Sequence, residues 1–184
     1  WVDGTFYNIF IVWILSYCIN WLGMPLIQTY SITIIACIFK IPFTLFGGWC
    51  AQKLGNTRTF VIGALASAVL SIPTLKVIEL SKGNLAITII GFVLGWSIAY
   101  NLIWAVISYL WSSYLETEVR YSGISFVYHV PSFLVAGMVP TICTLLINYG
   151  KGDTIYVGIY STVVALISAA CALALKARHD RGEK

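Results

Sequence analysis

Charge is what this 184-residue sequence has least of: 10% of its residues are Asp, Glu, Lys or Arg, whereas 59% are hydrophobic. Soluble domains carry about 25% charged and about 45–50% apolar residues. A chain this poor in charge cannot cover a water-facing surface, so its apolar excess must meet lipid. Acids are scarcest, seven against eleven bases, for a net charge of +4. The bases lie scattered between apolar runs, apart from Lys176, Arg178, Arg181 and Lys184 in the tail. That spread excludes a nucleic-acid-binding patch. The five cysteines have no CxxC or metal-ligand spacing and read as small hydrophobes within apolar runs. No phosphate-binding Gly loop, no Ser/His/Asp set and no metal cluster is visible. The expectation is therefore neither an ATP-driven pump nor a membrane-embedded hydrolase, and no cofactor. No basic segment followed by a short apolar stretch opens the chain, so no signal peptide is seen. The start at Trp1 reads as a fragment of something longer.

What is present is a series of long apolar runs. A spanning helix needs about 20 apolar residues, and the length accommodates six. The runs place helices at 5–27, 29–50, 58–79, 84–111, 120–147 and 154–176, with a tail at 177–184. Short loops rich in Lys and Arg stay cytoplasmic. Lys53, Arg58, Arg120 and the four tail bases fall on one side, against Lys76, Lys82 and Lys151 on the other. The tail and the loops at 51–58 and 112–120 are thus predicted to be cytoplasmic. Trp and Tyr near the run ends, among them Trp21, Tyr30, Trp49 and Tyr149, suit the headgroup level.

Two of these loops carry patterns. Gly48-Trp49-Cys50-Ala51-Gln52-Lys53-Leu54-Gly55-Asn56-Thr57-Arg58 resembles the loop between the second and third helices of a major-facilitator half. Gly48, Lys53 and Gly55 match, while Gln52 stands where Asp is usual. The pattern implies a tight turn at the glycines and a charge network that latches neighbouring helices, here without its carboxylate. Thr117-Glu118-Val119-Arg120-Tyr121-Ser122-Gly123 is similar to the stretch before the eleventh helix of the metabolite:proton symporter family, with Glu116 in place of Pro. The resemblance implies an all-α membrane fold of two inverted three-helix repeats, forming the C-terminal half of a twelve-helix carrier. It also implies plasma-membrane residence, a small-molecule substrate, a proton as coupling ion and an N-terminal half as partner.

Ionisable residues within spans are costly and are functional candidates by default. Two stand well inside: Lys40 and His129. Lys40 is mid-span, about 15 Å from either interface, beyond the reach of snorkelling. It should face a water-filled cavity or a carboxylate, and it is the expected contact for an anionic substrate. His129, beside Tyr128 and Pro131, is the proton-coupling candidate. Polar and aromatic residues recur at helical spacing in the first span (Trp13, Ser16 or Tyr17, Asn20), the fourth (Ser97, Asn101, Trp104, Ser108) and the fifth (Tyr121, Ser125, Tyr128, Ser132). From these, Tyr17, Asn20, Asn101, Trp104 and Tyr128 join Lys40 as expected substrate-binding residues. Gly91 and Gly95 form a GxxxG pair for close helix approach. The third and sixth spans show only scattered small polar groups and are expected at the periphery. The function expected is secondary transport of a carboxylate or osmolyte. The alternatives are a non-transporting carrier half and a sugar carrier.

Overall fold

The computed structural model describes residues 1–115 and 118–180. Glu116 and Thr117 of the second loop pattern, and Arg181 and Lys184 of the tail, lie outside the described residues. Six helical spans run antiparallel in sequence: α1 (Val2–Asn20), α2 (Leu26–Leu54), α3 (Asn56–Leu80), α4 (Leu85–Tyr114), α5 (Arg120–Tyr149) and α6 (Ile155–Asp180). Each of the six is long and apolar enough to cross a bilayer.

The helices stop where the local chemistry requires. α1 ends at Asn20, because Gly23 takes φ +64° and Pro25 then caps α2 in an extended conformation. Pro25 is therefore outside the first helix. The turn expected at both glycines of the first loop pattern forms at Gly55, with φ +88° and ψ 150°, a region open essentially to glycine. Gly48 lies within α2. Asn84 caps α4 by accepting from the amides of Ala86 and Ile87.

α1 and α4 are the most deeply buried spans. Each contains a π-helical segment, Asn8–Trp13 in α1 and Val93–Ala99 in α4. The two segments meet: a Cβ on Gly95 would lie 2.5 Å from the Phe10 ring, and Phe10 packs edge-on to Phe92 with ring centroids 5.4 Å apart. Gly91 and Gly95 both close on Thr74 of α3, as the GxxxG spacing anticipates. α3 packs against α6 through the hydroxyls of Ser71 and Ser161 and through Thr162 Oγ1, which donates to the Ala68 carbonyl at 3.1 Å. α2 and α5 flank the α1–α4 pair and are the least buried, with Ile27, Leu45, Tyr121 and Phe133 among their exposed residues.

α5 is discontinuous. Its first part ends at Leu134, a 3-10 turn covers Ala136–Met138, and helix resumes at Val139–Tyr149. Pro131 removes one intrahelical donor and Pro140 sits in the first turn of the resumed segment, where a missing N–H needs no partner. Pro42 and Pro73 lie inside unbroken helices.

The two ends of the bundle differ. At one end the loops 21–25, 81–84 and 150–154 interlock. Trp21 packs over Gly152, Gly83 over the Leu22 carbonyl, and Tyr17 Oη donates to the Gly152 carbonyl at 3.4 Å. Lys76 pairs with Glu79 at 3.0 Å and with Asp153 at 2.7 Å, and Glu79 accepts from both the amide and hydroxyl of Thr154. At the end that carries Gly55 and Leu115, two clefts of about 260 and 280 Å³ lie between the helices.

Candidate functional site

Lys40 occupies the middle of α2, and its side chain turns toward α4. Its ammonium lies 4.5 Å from the Trp96 ring centroid, 5.2 Å from Tyr100 and 5.1 Å from Trp104. The three rings recur at intervals of four, so one face of α4 presents them as a box. Negative ring faces attract a cation at these distances, the more strongly when water is excluded. Among the described residues Lys40 forms no ion pair.

The backbone around the box is locked by rungs between α2 and α4. Ser97 Oγ donates to the Ala36 carbonyl at 2.8 Å, and Asn101 Nδ2 donates to the Lys40 carbonyl and to Thr44 Oγ1, both at 2.8 Å. Gly47 continues the seam against Ala105. The fourth-span stripe therefore divides. Ser97 and Asn101 bind α2, whereas Trp104 and Ser108 face the 280 Å³ cleft. Asn101 Oδ1 and Trp96 Nε1 are buried without a hydrogen-bond partner.

That cleft lies between α4 and α5 and is lined by Trp104, Ser108, Trp111, Ser125, Tyr128 and His129, among others. Tyr128 packs edge-on to Trp111 with centroids 5.5 Å apart, and to His129 at 5.4 Å. Tyr128 and His129 thus share one wall, opposite Trp104. Tyr17 and Asn20 stand elsewhere. Tyr17 is buried against Trp13 and bonded to the loop at Gly152, and Asn20 is exposed, donating to Ser16.

A carboxylate absent from the sequence expectation adjoins the box. Asp3 on α1 is buried, and Tyr100 Oη donates to its Oδ1. Tyr100 thus links the two charges, with its hydroxyl on Asp3 and its ring beside Lys40. Asp3 is the second residue of α1, and its buried carboxylate reaches the hydroxyl of Tyr100, so a third ionisable group joins Lys40 and His129 within the described spans. The signal was available in the apolar periodicity of Phe6, Phe10 and Trp13, which extends helix back through position 3.

The loop residues hold the end that carries Gly55. Lys53 Nζ lies 4.2 Å from the Trp49 ring centroid. Arg120 opens α5 and donates through Nε and Nη2 to the Leu115 carbonyl, each at 3.4 Å. Arg58 is exposed in the first turn of α3. The cysteines are all free. Cys18 and Cys143 are buried, Cys50 is half-buried, and Cys37 and Cys171 are exposed, Cys171 on the wall of the 260 Å³ cleft.

Over 128 residues, 70% of its length, the chain is 29% identical to the shikimate transporter of Escherichia coli (strain K12). Over 172 residues, 90% of its length, it is 25% identical to a Staphylococcus haemolyticus (strain JCSC1435) protein named "Putative proline/betaine transporter". These alignments span 29% and 36% of the two relatives, so the chain covers about a third of the curated relatives it matches. No family model and no solved structure matches it. Both relatives are named as transporters, which agrees with the resemblance carried by the loops, and with six helices long and apolar enough to cross a bilayer the chain is a multi-pass membrane protein similar to them.

Proposed function

We infer that this chain is the C-terminal six-helix half of a plasma-membrane secondary transporter, moving a small carboxylate or osmolyte by alternating access with a proton as coupling ion. The observation that carries the reading is the Lys40 ammonium. It is held mid-membrane by aromatic faces rather than by an ion pair. A cation in no direct ion pair, in the middle of its span where carriers of this type bind, is suited to an anionic group of a substrate. Trp104, Tyr128 and Asn101 complete the surroundings, and an N-terminal half would cover the exposed α2 and α5. The interlocked loops at one end and the clefts at the other fit a carrier half closed on the first side and open on the second. The open side is assigned to the cytoplasm, with the tail, from the distribution of Lys and Arg.

The test is uptake by the full-length carrier in proteoliposomes, with labelled carboxylates, betaine, amino acids and sugars, with and without an inward proton gradient. Gradient-stimulated uptake of one carboxylate or osmolyte, lost in Lys40→Ala at unchanged membrane abundance, supports the reading. Uptake of sugars alone would replace the substrate class. Absence of all uptake by well-folded protein would make the chain part of a non-transporting assembly.

A further inference from the structure

We propose that Asp3 is the group on this half that binds and releases the coupling proton; the assignment rests on the proposed transport function. Three independent features of the structure converge on this residue.

The first is its placement. Asp3 is a buried carboxylate in the first turn of α1, and its Oδ1 accepts from the Tyr100 hydroxyl. Among the described residues no ion pair involves it. Oδ2 is therefore the oxygen left to take a proton.

The second is access. A small cavity of about 20 Å³, large enough for one water molecule, is lined by Asp3, Gly4, Trp111, Tyr128, Pro131 and Ser132, among others. Trp111 and Tyr128 also line the 280 Å³ cleft. Their edge-on pair thus borders both the water-sized space at the carboxylate and the wider cleft. A rotation of either ring would join the two.

The third is the neighbouring backbone. The break in α5 lies against this cavity: a Cβ added to Gly4 would come within 2.6 Å of Ala136 Cβ, and Pro131 is on the cavity wall. A helix interrupted at this point can pivot with little loss of intrahelical bonding. The break in the fifth span therefore adjoins the carboxylate.

The charge arithmetic then couples proton to substrate. With Asp3 ionised, its charge and that of Lys40, set on either side of Tyr100, cancel. When a proton enters at Oδ2 from the cleft water, Lys40 becomes an uncompensated cation within the membrane, a costly arrangement that an anionic substrate group relieves. Proton binding favours anion binding and, by reciprocity, the anion favours the proton. On reopening to the other side the proton leaves Oδ2 for water, and no other bond is made or broken. The groups facing Asp3 are Tyr100 from α4, Lys40 from α2 and Tyr128 from α5; Tyr7 of α1 lies beside Tyr100 and Tyr128, and Tyr160 of α6 reaches Thr5. His129 shares the outer cleft wall rather than the Asp3 cavity.

Asp3→Asn in the full-length carrier, reconstituted in proteoliposomes, tests this. The expected result is loss of gradient-driven accumulation, with substrate-for-substrate exchange retained and its rate no longer dependent on pH; Asp3→Glu should keep coupling. Asp3→Asn that still accumulates substrate on a proton gradient overturns the assignment. A wild-type carrier that moves nothing overturns the transport reading instead, so the two failures are separable. If Asp3→Asn does not insert, Tyr100→Phe decides: a shifted midpoint in the pH dependence of exchange supports Asp3, and an unchanged midpoint overturns it.

Discussion

Asn101 on α4 donates to the backbone carbonyl of Lys40 on α2 at 2.8 Å, so the residue whose ammonium the rings of Trp96, Tyr100 and Trp104 hold is also fixed through its main chain. The same amide nitrogen bonds Thr44 Oγ1, and one turn earlier Ser97 bonds Ala36. Interhelical bonds of this kind in membranes average about 0.6 kcal/mol and reach about 1.7. Asn101→Ala is expected to lower stability by about 1–2 kcal/mol, more than Ser97→Ala, which removes a single bond. Thermal unfolding of the purified carrier in detergent checks the order. Equal midpoints for the two variants and wild type would remove the rung argument.

The box around Lys40 was half legible in the sequence. A Lys at the centre of an apolar run demands an explanation, and Trp96, Tyr100 and Trp104 at intervals of four are on one helical face. Which partner that face meets is decided by packing: Gly63 against Leu102 and Gly47 against Ala105 set how α4 lies against α3 and α2. Periodicity marks a face and not its neighbour, which is why Ser97 and Asn101 could be read as cavity lining when they are bonded to α2. Asp3 was missed for a different reason. Its run is short on the N-terminal side, so hydropathy places the span start too late. Tyr17 and Asn20 share a stripe with Trp13, but α1 buries that face at the end where the loops interlock, leaving Asn20 at the exposed edge.

Glycine in these helices has two different roles, and substitution separates them. At Gly95 a methyl would meet the rigid, buried ring of Phe10 at 2.5 Å, where the π-helical segments of α1 and α4 cross. Overpacking of this sort costs about 1–3 kcal/mol, so Gly95→Ala is expected to lower the unfolding midpoint. At Gly48 nothing lies within 4 Å and the backbone is helical. Gly48→Ala should leave stability unchanged or raise it by about 0.5–1 kcal/mol through helix propensity. A destabilised Gly48→Ala would mean that the first loop pattern constrains this position in a way the helix does not reveal.

The orientation proposed from the bases can be tested with single cysteines in a cysteine-free background. Lys53 and Lys151 are exposed at opposite ends of the bundle. With a membrane-impermeant maleimide added to intact cells, Lys151→Cys is expected to label and Lys53→Cys to label only after permeabilisation. The reverse pattern would invert the topology and assign the interlocked loops to the cytoplasm.

The latch at the interlocked end should respond to acid. Lys76 beside Asp153, together with the Ile155 amide that donates to it, holds the Asp153 carboxyl below its ordinary value of 3.8. A carboxyl whose folded-state value is depressed stabilises the fold above its unfolded value, and that contribution disappears as pH falls through the folded one. The stabilisation is thus full above about pH 4 and lost in more acidic solution. Asp153 is solvent-exposed, so the contribution is also screened by salt. Thermal midpoints of wild type and Asp153→Asn should differ at neutral pH in low salt. They should converge as pH falls well below 4, and also when salt is raised. A difference that persists in acid would show that the charge of Asp153 is not what the substitution removes from the latch, leaving Glu79, which binds Lys76 and both donors of Thr154, as the carboxylate that ties α3 to the loop before α6.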